Sequence, residues 1–286
     1  MLKFAYYPGC SLDSSAREFD LSTRAVSRHL GIEYVEVPDW SCCGASPGHS
    51  TSQLLALSLA ARNLALAEST GLNVTAPCAA CYHRLALACH ELTGNQELRE
   101  EVNQITGRPF NATIKVRSIL EVITSVGLEQ IATRVVRPLT ELKIAAYYGC
   151  LLVRPRSVQV DDPENPQIIE KIMAAIGAQT VHWSHKTECC GASLAVSNEE
   201  VAIPMVFRIL KAASLAGANC LVCACPLCHF NLDMRQGKVN QTLGTDFHLP
   251  VFYFTQLLGV AMGLDSRDLS LNTHFMDTAQ VLKLVG

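Results

Sequence analysis

Cys42-Cys43-Gly44-Ala45-Ser46 recurs residue for residue as Cys189-Cys190-Gly191-Ala192-Ser193. The flanks repeat as well. Upstream, Tyr6-Tyr7-Pro8-Gly9-Cys10 returns as Tyr147-Tyr148-Gly149-Cys150; downstream, Cys78-Ala79-Ala80-Cys81 returns as Cys225-Pro226-Leu227-Cys228. Between Cys43 and Cys78 lie 34 residues, and between Cys190 and Cys225 lie 34 again. Matched motifs at an equal spacing mark an internal duplication. The earlier spacer differs, 31 residues from Cys10 to Cys42 against 38 from Cys150 to Cys189. The Pro-rich stretch from Arg154-Pro155 to Pro166 reads as a loop and takes up most of the excess.

Between the motifs, strand and helix patterns alternate. Leu2 to Tyr7 reads as a buried strand, and Ser14 to Leu30 as a helix with Ser14 or Ser15 as cap and Gly31 as stop. Ile32 to Val37 alternates like a strand, Ser50 or Ser52 caps a helix running to Ser69, and Leu72 to Ala76 is a short strand before a helix to about Leu92. The second half gives the same order: a strand from Lys143 to Tyr148, a helix up to Gly177, a strand to His182, a helix from about Asn198 to Ala216 and a strand to Cys223. Val251 to Leu264 is too short to span a membrane and reads as a buried strand entering a core helix. The expected fold is therefore α/β, with two pseudo-symmetric duplicated domains, residues 1–140 and 141–286, each a small mostly parallel sheet with flanking helices. In such sheets ligands gather beyond the carboxyl ends of the strands. Cys10, Cys78, Cys150 and Cys225 each follow a strand and should converge there.

Composition narrows the function. The chain has 286 residues, a formal net charge of -3 and 17% charged residues. Neither sign dominates, so nothing favours nucleic acid as a partner. The start, Met1 to Pro8, shows no secretory h-region, and a cytoplasmic location without membrane contact is expected. Asn111-Ala112-Thr113 then counts as a chance glycosylation triplet.

Thirteen cysteines stand out. Disulfides suit small secreted domains, and ordinary buried thiols do not explain clustering. Metal ligation does. A Cys-x2-Cys pair alone also serves zinc ribbons and redox motifs. The adjacent pairs carry more information, because neighbouring side chains in an extended segment point to opposite faces. Two such thiolates do not readily chelate one tetrahedral ion but can serve two irons of one cluster. Each half offers five sulfurs, Cys10, Cys42, Cys43, Cys78 and Cys81, then Cys150, Cys189, Cys190, Cys225 and Cys228. Structural zinc and an ordinary cubane each need only four. Iron–sulfur is the favoured reading, with zinc in place of one cluster as the alternative.

This double pattern resembles the paired cysteine-rich CCG domains of the heterodisulfide reductase B-subunit family, over essentially the whole chain including Phe252-Tyr253-Phe254-Thr255-Gln256-Leu257-Leu258-Gly259. The resemblance implies that each five-cysteine set binds a noncubane 4Fe–4S cluster. It further implies that two such clusters flank a disulfide of two small thiols and cleave or form it by one-electron steps. Ala79 stands where the second motif has Pro226, which touches no ligand. A ferredoxin-like iron–sulfur subunit and a flavin subunit are the implied partners. This fits the lack of any Gly-x-Gly-x-x-Gly or P-loop motif in the chain. Similar CCG pairs also serve as electron-transfer subunits of succinate or fumarate–quinone oxidoreductases and of sulfur-oxidising complexes, the alternative reading. The clusters are expected to share one cavity between the halves.

Arg17, Arg154 and Arg156 lie near cysteines and are candidates for binding an anionic substrate tail; solvated loop charge is the plainer reading. His83 and His229 follow the two Cys-x2-Cys pairs and are candidate donors to sulfur or substrate. His49, His182, His185, His248 and His274 show no informative spacing. Cys89 is expected in the core, and Cys220 and Cys223 in the packing of their strand, with Cys223 as a weaker candidate ligand.

Overall fold

A computed structural model describes residues 2–45 and 47–285, so Ser46 of the first repeat lies outside the described residues, as do Met1 and Gly286. Strands β1 (Leu2–Tyr6), β2 (Ile32–Glu36), β3 (Val74–Ala76) and β4 (Val116–Ser118) form one sheet; β5 (Lys143–Tyr147), β6 (Gln179–Thr180), β7 (Cys220–Cys223) and β8 (Val251–Tyr253) form a second. Their orders are β2-β1-β3-β4 and β6-β5-β7-β8, and every pairing is parallel. The duplication is thus one of topology as well as of motif. Parallel neighbours need crossovers, which the helices Arg17–His29 and Gln53–Glu68 supply in the first half and Ile168–Ala175 and Glu199–Leu215 in the second. Helices covering both faces explain why the central strand Cys220–Cys223 is buried throughout.

Local signals account for some helix ends. Ser52 caps Gln53–Glu68, its hydroxyl accepting from the Leu55 amide at 3.4 Å. The helix Arg17–His29, however, is capped by neither Ser14 nor Ser15; Ala16 holds that position. Ser14 instead donates to the Cys10 carbonyl at 2.6 Å. It closes a separate short turn, Gly9–Asp13, that carries the cysteine.

The second half departs from the first where the spacer is longer. Its crossover helix begins only at Ile168. The Pro-rich loop before it is held from within. Lys186 donates to Asn165 Oδ1 at 3.0 Å and to the Pro166 carbonyl at 2.9 Å, and pairs with Glu170, itself in contact with the Tyr148 hydroxyl. Lys186 and Glu170 are both buried, and the bonds around them satisfy charges that would otherwise be costly there. The strand expected to reach His182 is only Gln179–Thr180, although the Val181 amide still bonds the Ile144 carbonyl at 2.9 Å.

The sheets close with a strand–helix unit that crosses over. Beyond β8, the helix Phe254–Ala261 packs on Arg17–His29 of the first half; beyond β4, the helix Ile119–Thr124 packs on Ile168–Ala175 of the second. Ser22 Oγ and Thr255 Oγ1 lie 2.8 Å apart, and the Phe19 and Tyr253 rings stack at 4.2 Å. The Tyr82 hydroxyl donates to the Val158 carbonyl at 2.9 Å. Buried apolar residues of both halves form one continuous core. Among the described residues no helix is long and apolar enough to cross a membrane.

Candidate functional site

The ten cysteines of the two sets gather at the carboxyl ends of the two sheets. Cys10 lies in the short helix Gly9–Asp13 after β1 and Cys150 in a turn after β5, while Cys78 and Cys225 are the N-caps of the helices Ala79–Gly94 and Pro226–Met234, which place Cys81 and Cys228 in their first turns. Helix N-termini carry partial positive charge and favour thiolate. The adjacent pairs come in on loops anchored alike in both halves. Tyr7 donates from its hydroxyl to the Ser41 carbonyl at 2.6 Å, and Tyr147 to the Glu188 carbonyl at 2.6 Å, each fixing the residue before a Cys-Cys pair. The next glycine amide then donates to the first sulfur, Gly44 to Cys42 and Gly191 to Cys189, at 3.4 Å in each case.

Each pair is split as extended geometry requires: Cys42 and Cys189 are exposed, Cys43 and Cys190 buried. Cys43 Sγ lies 3.4 Å from Cys81 Sγ, and Cys190 Sγ 3.6 Å from Cys228 Sγ. The exposed edge of each set is a second contact, Cys10 with Cys42 and Cys150 with Cys189. Backbone must pass close to these sulfurs. Gly9 and Gly149 adopt φ of +69° and +64°, and a Cβ there would stand 2.8 Å from Cys81 Sγ and 3.1 Å from Cys228 Sγ. All thirteen thiols are free.

Sharing of protons sorts the thiols. Hydrogen bonding from Cys81 lowers Cys43 to about 7, and bonding from Cys150 lowers Cys189 to about 6. Cys225 is held low by the Cys228 and Cys78 thiols, whereas their neighbours pull Cys78, Cys81, Cys150 and Cys228 upward. Five converging sulfurs, several already disposed to ionise, are a soft donor set and fit an iron–sulfur group. The contact between Cys78 and Cys225 crosses the molecule, so the two sulfur sets meet.

A cavity of about 600 Å³ opens beside the second set. All five of its cysteines line the wall, with Leu151, Leu194, Leu227 and Tyr148. The opposite wall comes from the first half, through Ala79, Ala80, His49 and Arg84. No cysteine of the first set reaches the cavity among the described residues, so its sulfurs come from one half only.

The candidate substrate residues lie elsewhere. Arg17, Arg154 and Arg156 are exposed, and Arg154 sits 3.6 Å from Glu164. His83 and His229 are buried, and neither they nor the three arginines line the cavity. Burial pushes His83 down to about 4 and His229 to about 3. Arg84 and His49, which the sequence did not single out, do line it, with Arg84 Nη2 2.6 Å from His49 Nδ1. They lie 35 positions apart, so no local motif marks them as partners. Cys89 is half-buried against the Ile114 carbonyl. Cys220 and Cys223 are fully buried on β7, and burial raises both, Cys220 to about 12. That suits packing, although Cys223 lies near enough to feel Cys225 and Cys190.

The family model for the CCG cysteine-rich domain matches residues 4–86 and 144–233. The chain is 34% identical over 283 residues to the 8-methylmenaquinol:fumarate reductase membrane anchor subunit of Wolinella succinogenes, covering 98% of this chain and 99% of that one. It is 32% identical over 291 residues to the B subunit of the ferredoxin/F(420)H(2)-dependent CoB-CoM heterodisulfide reductase of Methanosarcina acetivorans, covering 99% and 96%. Among solved structures, a hypothetical protein from Helicobacter pylori superposes with a TM-score of 0.78 at 17% identity. That match covers 96% of this chain and 52% of the other, and it supports the fold alone.

Proposed function

This chain belongs to the cysteine-rich CCG domain family, together with the heterodisulfide reductase B subunits, and from that premise we propose that it is the iron–sulfur subunit of a heterodisulfide reductase-like complex. Cys10, Cys42, Cys43, Cys78 and Cys81 would hold one noncubane 4Fe–4S cluster, and Cys150, Cys189, Cys190, Cys225 and Cys228 a second, with the chain divided near Thr140. When bound, such clusters supply single electrons at low potential and iron sites that take thiolate sulfur. The overall reaction consumes one disulfide, two electrons and two protons and yields two thiols. The observation that carries this reading is a cavity walled by both halves with five sulfurs along one side.

The residues of the chain give that cavity its selectivity. Ala79, Ala80, Leu151, Leu194 and Leu227 exclude water from the sulfur wall, and Arg84 is the one arginine or lysine among the described lining residues. A guanidinium is suited to a carboxylate, sulfonate or phosphate on one thiol. Electrons come from partner subunits, an iron–sulfur subunit of ferredoxin type and a flavin subunit.

A second reading has its own support. The 34% identical relative is named as part of a menaquinol-linked fumarate reductase, and an apolar cavity with a single cation also suits a quinone headgroup. Anaerobic purification with iron, zinc and acid-labile sulfide analysis tests the cluster assignment. Colourless protein holding zinc in place of iron would reject it. Turnover of small disulfides with reduced viologen, set against turnover of a menaquinone analogue, separates the two reactions.

A further inference from the structure

Three side chains of metal-binding type converge at the helix Pro226–Met234, the first of them, His229, directly after Cys228. His229 and Asp233 stand four residues apart and therefore on one face of that helix. His274 comes from the chain's last segment and meets them, its ring 5.0 Å from that of His229. One ligand atom of each lies within 4.8 Å of the others.

Neither histidine is satisfied as it stands. His229 is 3% exposed and its Nε2 has no hydrogen-bond partner; neither ring nitrogen of His274 has one. Buried polar atoms without partners cost about 1–3 kcal/mol each, and native proteins keep few. Asp233 is 0% exposed. It accepts the amides of Val251, Phe275 and Met276 at 3.1, 2.7 and 3.2 Å, yet no lysine, arginine or histidine forms an ion pair with it among the described residues. Glu18 and Asp233 repel each other. A buried carboxylate without a cation and two imidazoles with free nitrogens are each unusual, and a single divalent ion would satisfy the carboxylate, His229 Nε2 and one nitrogen of His274.

We propose that His229, Asp233 and His274 form a structural zinc site that clamps the C-terminal segment to the helix carrying Cys225 and Cys228. Two imidazoles and a carboxylate are zinc ligands, with bonds of about 2.0–2.1 Å. Tetrahedral geometry sets the ligand atoms roughly 3.4 Å apart, so side-chain adjustments of about an ångström close the site. His229 Nε2 and both nitrogens of His274 are buried and unpaired, so each ring has a nitrogen to offer a metal. The amides of Phe275 and Met276 already bind Asp233, so the ion completes an attachment that the backbone has begun. Enclosure separates this site from the open two-histidine, one-carboxylate centres of oxygen-activating iron.

The site's ligands are not cysteines, and the test keeps its metal apart from what the cysteines hold. The full chain, purified anaerobically and freed of loose metal, should contain about one zinc, with X-ray absorption at the zinc edge showing nitrogen and oxygen ligands and no sulfur. His274→Ala should lose that zinc while iron and acid-labile sulfide stay at the wild-type level. His274→Cys should recover it with one sulfur ligand and guards against a folding defect in the alanine variant. Zinc-free protein that takes up none from added zinc salt would overturn the site. So would zinc undiminished in His274→Ala, or bound to sulfur in the unaltered chain.

Discussion

Gly9→Ala offers a sharp test of where the first sulfur set sits. Two costs add at this position. An alanine must adopt a φ of +69°, which costs about 1–2 kcal/mol. Its Cβ would also stand 2.8 Å from Cys81 Sγ and 3.1 Å from Tyr7 Cε1. Ordinary contact begins near ~3.5 Å, so the sulfur must retreat by about 0.7 Å or the loop must open. Cys81 has little room, being buried and already 3.4 Å from Cys43 Sγ. Site geometry generally has to hold within about 0.5 Å, so the displacement should empty the first site. Gly71→Ala separates strain from collision, because Gly71 has a φ of +70° with nothing within 4 Å of its added Cβ. That control should lose about 1 kcal/mol of stability and no iron. Iron and acid-labile sulfide per chain, with denaturant melts, read both variants. Gly9→Ala is expected to keep about half the iron, and Gly149→Ala to lose the complementary half less completely, since its contact is 3.1 Å. Full iron in Gly9→Ala, or equal loss in the Gly71 control, would refute the placement.

Other expectations follow from the same geometry. Cys89→Ser should leave iron unchanged, because that thiol faces the Ile114 carbonyl, whereas Cys42→Ser and Cys190→Ser should each disturb the electron paramagnetic resonance signal of one cluster only. Arg84→Leu should retain iron but lower kcat/KM for an anionic disulfide about 10- to 100-fold, the worth of one charge-assisted hydrogen bond; an equal loss for an uncharged disulfide would contradict a binding role. The isolated chain should turn over with reduced viologen and not with NADH or NADPH alone, and direct NADPH-driven turnover would require a nicotinamide site that the sequence lacks.

Covalent pattern made the fold legible. Duplicated cysteine motifs with equal spacers located both sheets, and the strands before Cys10, Cys78, Cys150 and Cys225 lie where alternation puts them. Failures came where tertiary contacts override local signal. Ser14 and Ser15 are good caps in isolation, yet Ser14 is engaged by the Cys10 carbonyl. The Pro-rich insertion shortens its crossover helix because Lys186, twenty residues further on, fastens the loop from inside. β4 gave no sequence signal of its own, being three residues long and only partly buried, while its counterpart β8 is wholly buried and was legible. Arg84 and His49 become partners only when the helix Ala79–Gly94 turns toward the cavity. The buried histidines His83 and His229 follow the same motifs but turn inward.

The halves are alike in fold and unlike in exposure, and that difference bears on how they would divide the work. Five sulfurs of the second set line the cavity, and among the described residues none of the first set does. What the first half contributes to the wall is Ala79, Ala80 and Arg84 from the helix Ala79–Gly94, with Ala45, His49 and Ser50 from the chain after Cys43. Its sulfurs reach the second set through Cys78 and Cys225 instead. A substrate in this cavity would therefore meet the second set directly and draw on the first through a sulfur contact. Two equivalent clusters facing one disulfide would need sulfur from both sets on the cavity wall. If a disulfide is cleaved there by one-electron steps, as proposed, both sets would still be used, because the second electron must follow the first before the fragments rejoin. A neighbouring set in sulfur contact is placed to deliver it. If both sets hold clusters as proposed, the duplication would supply a matched second electron, and the asymmetry of the walls points to the second half as the one that meets the substrate.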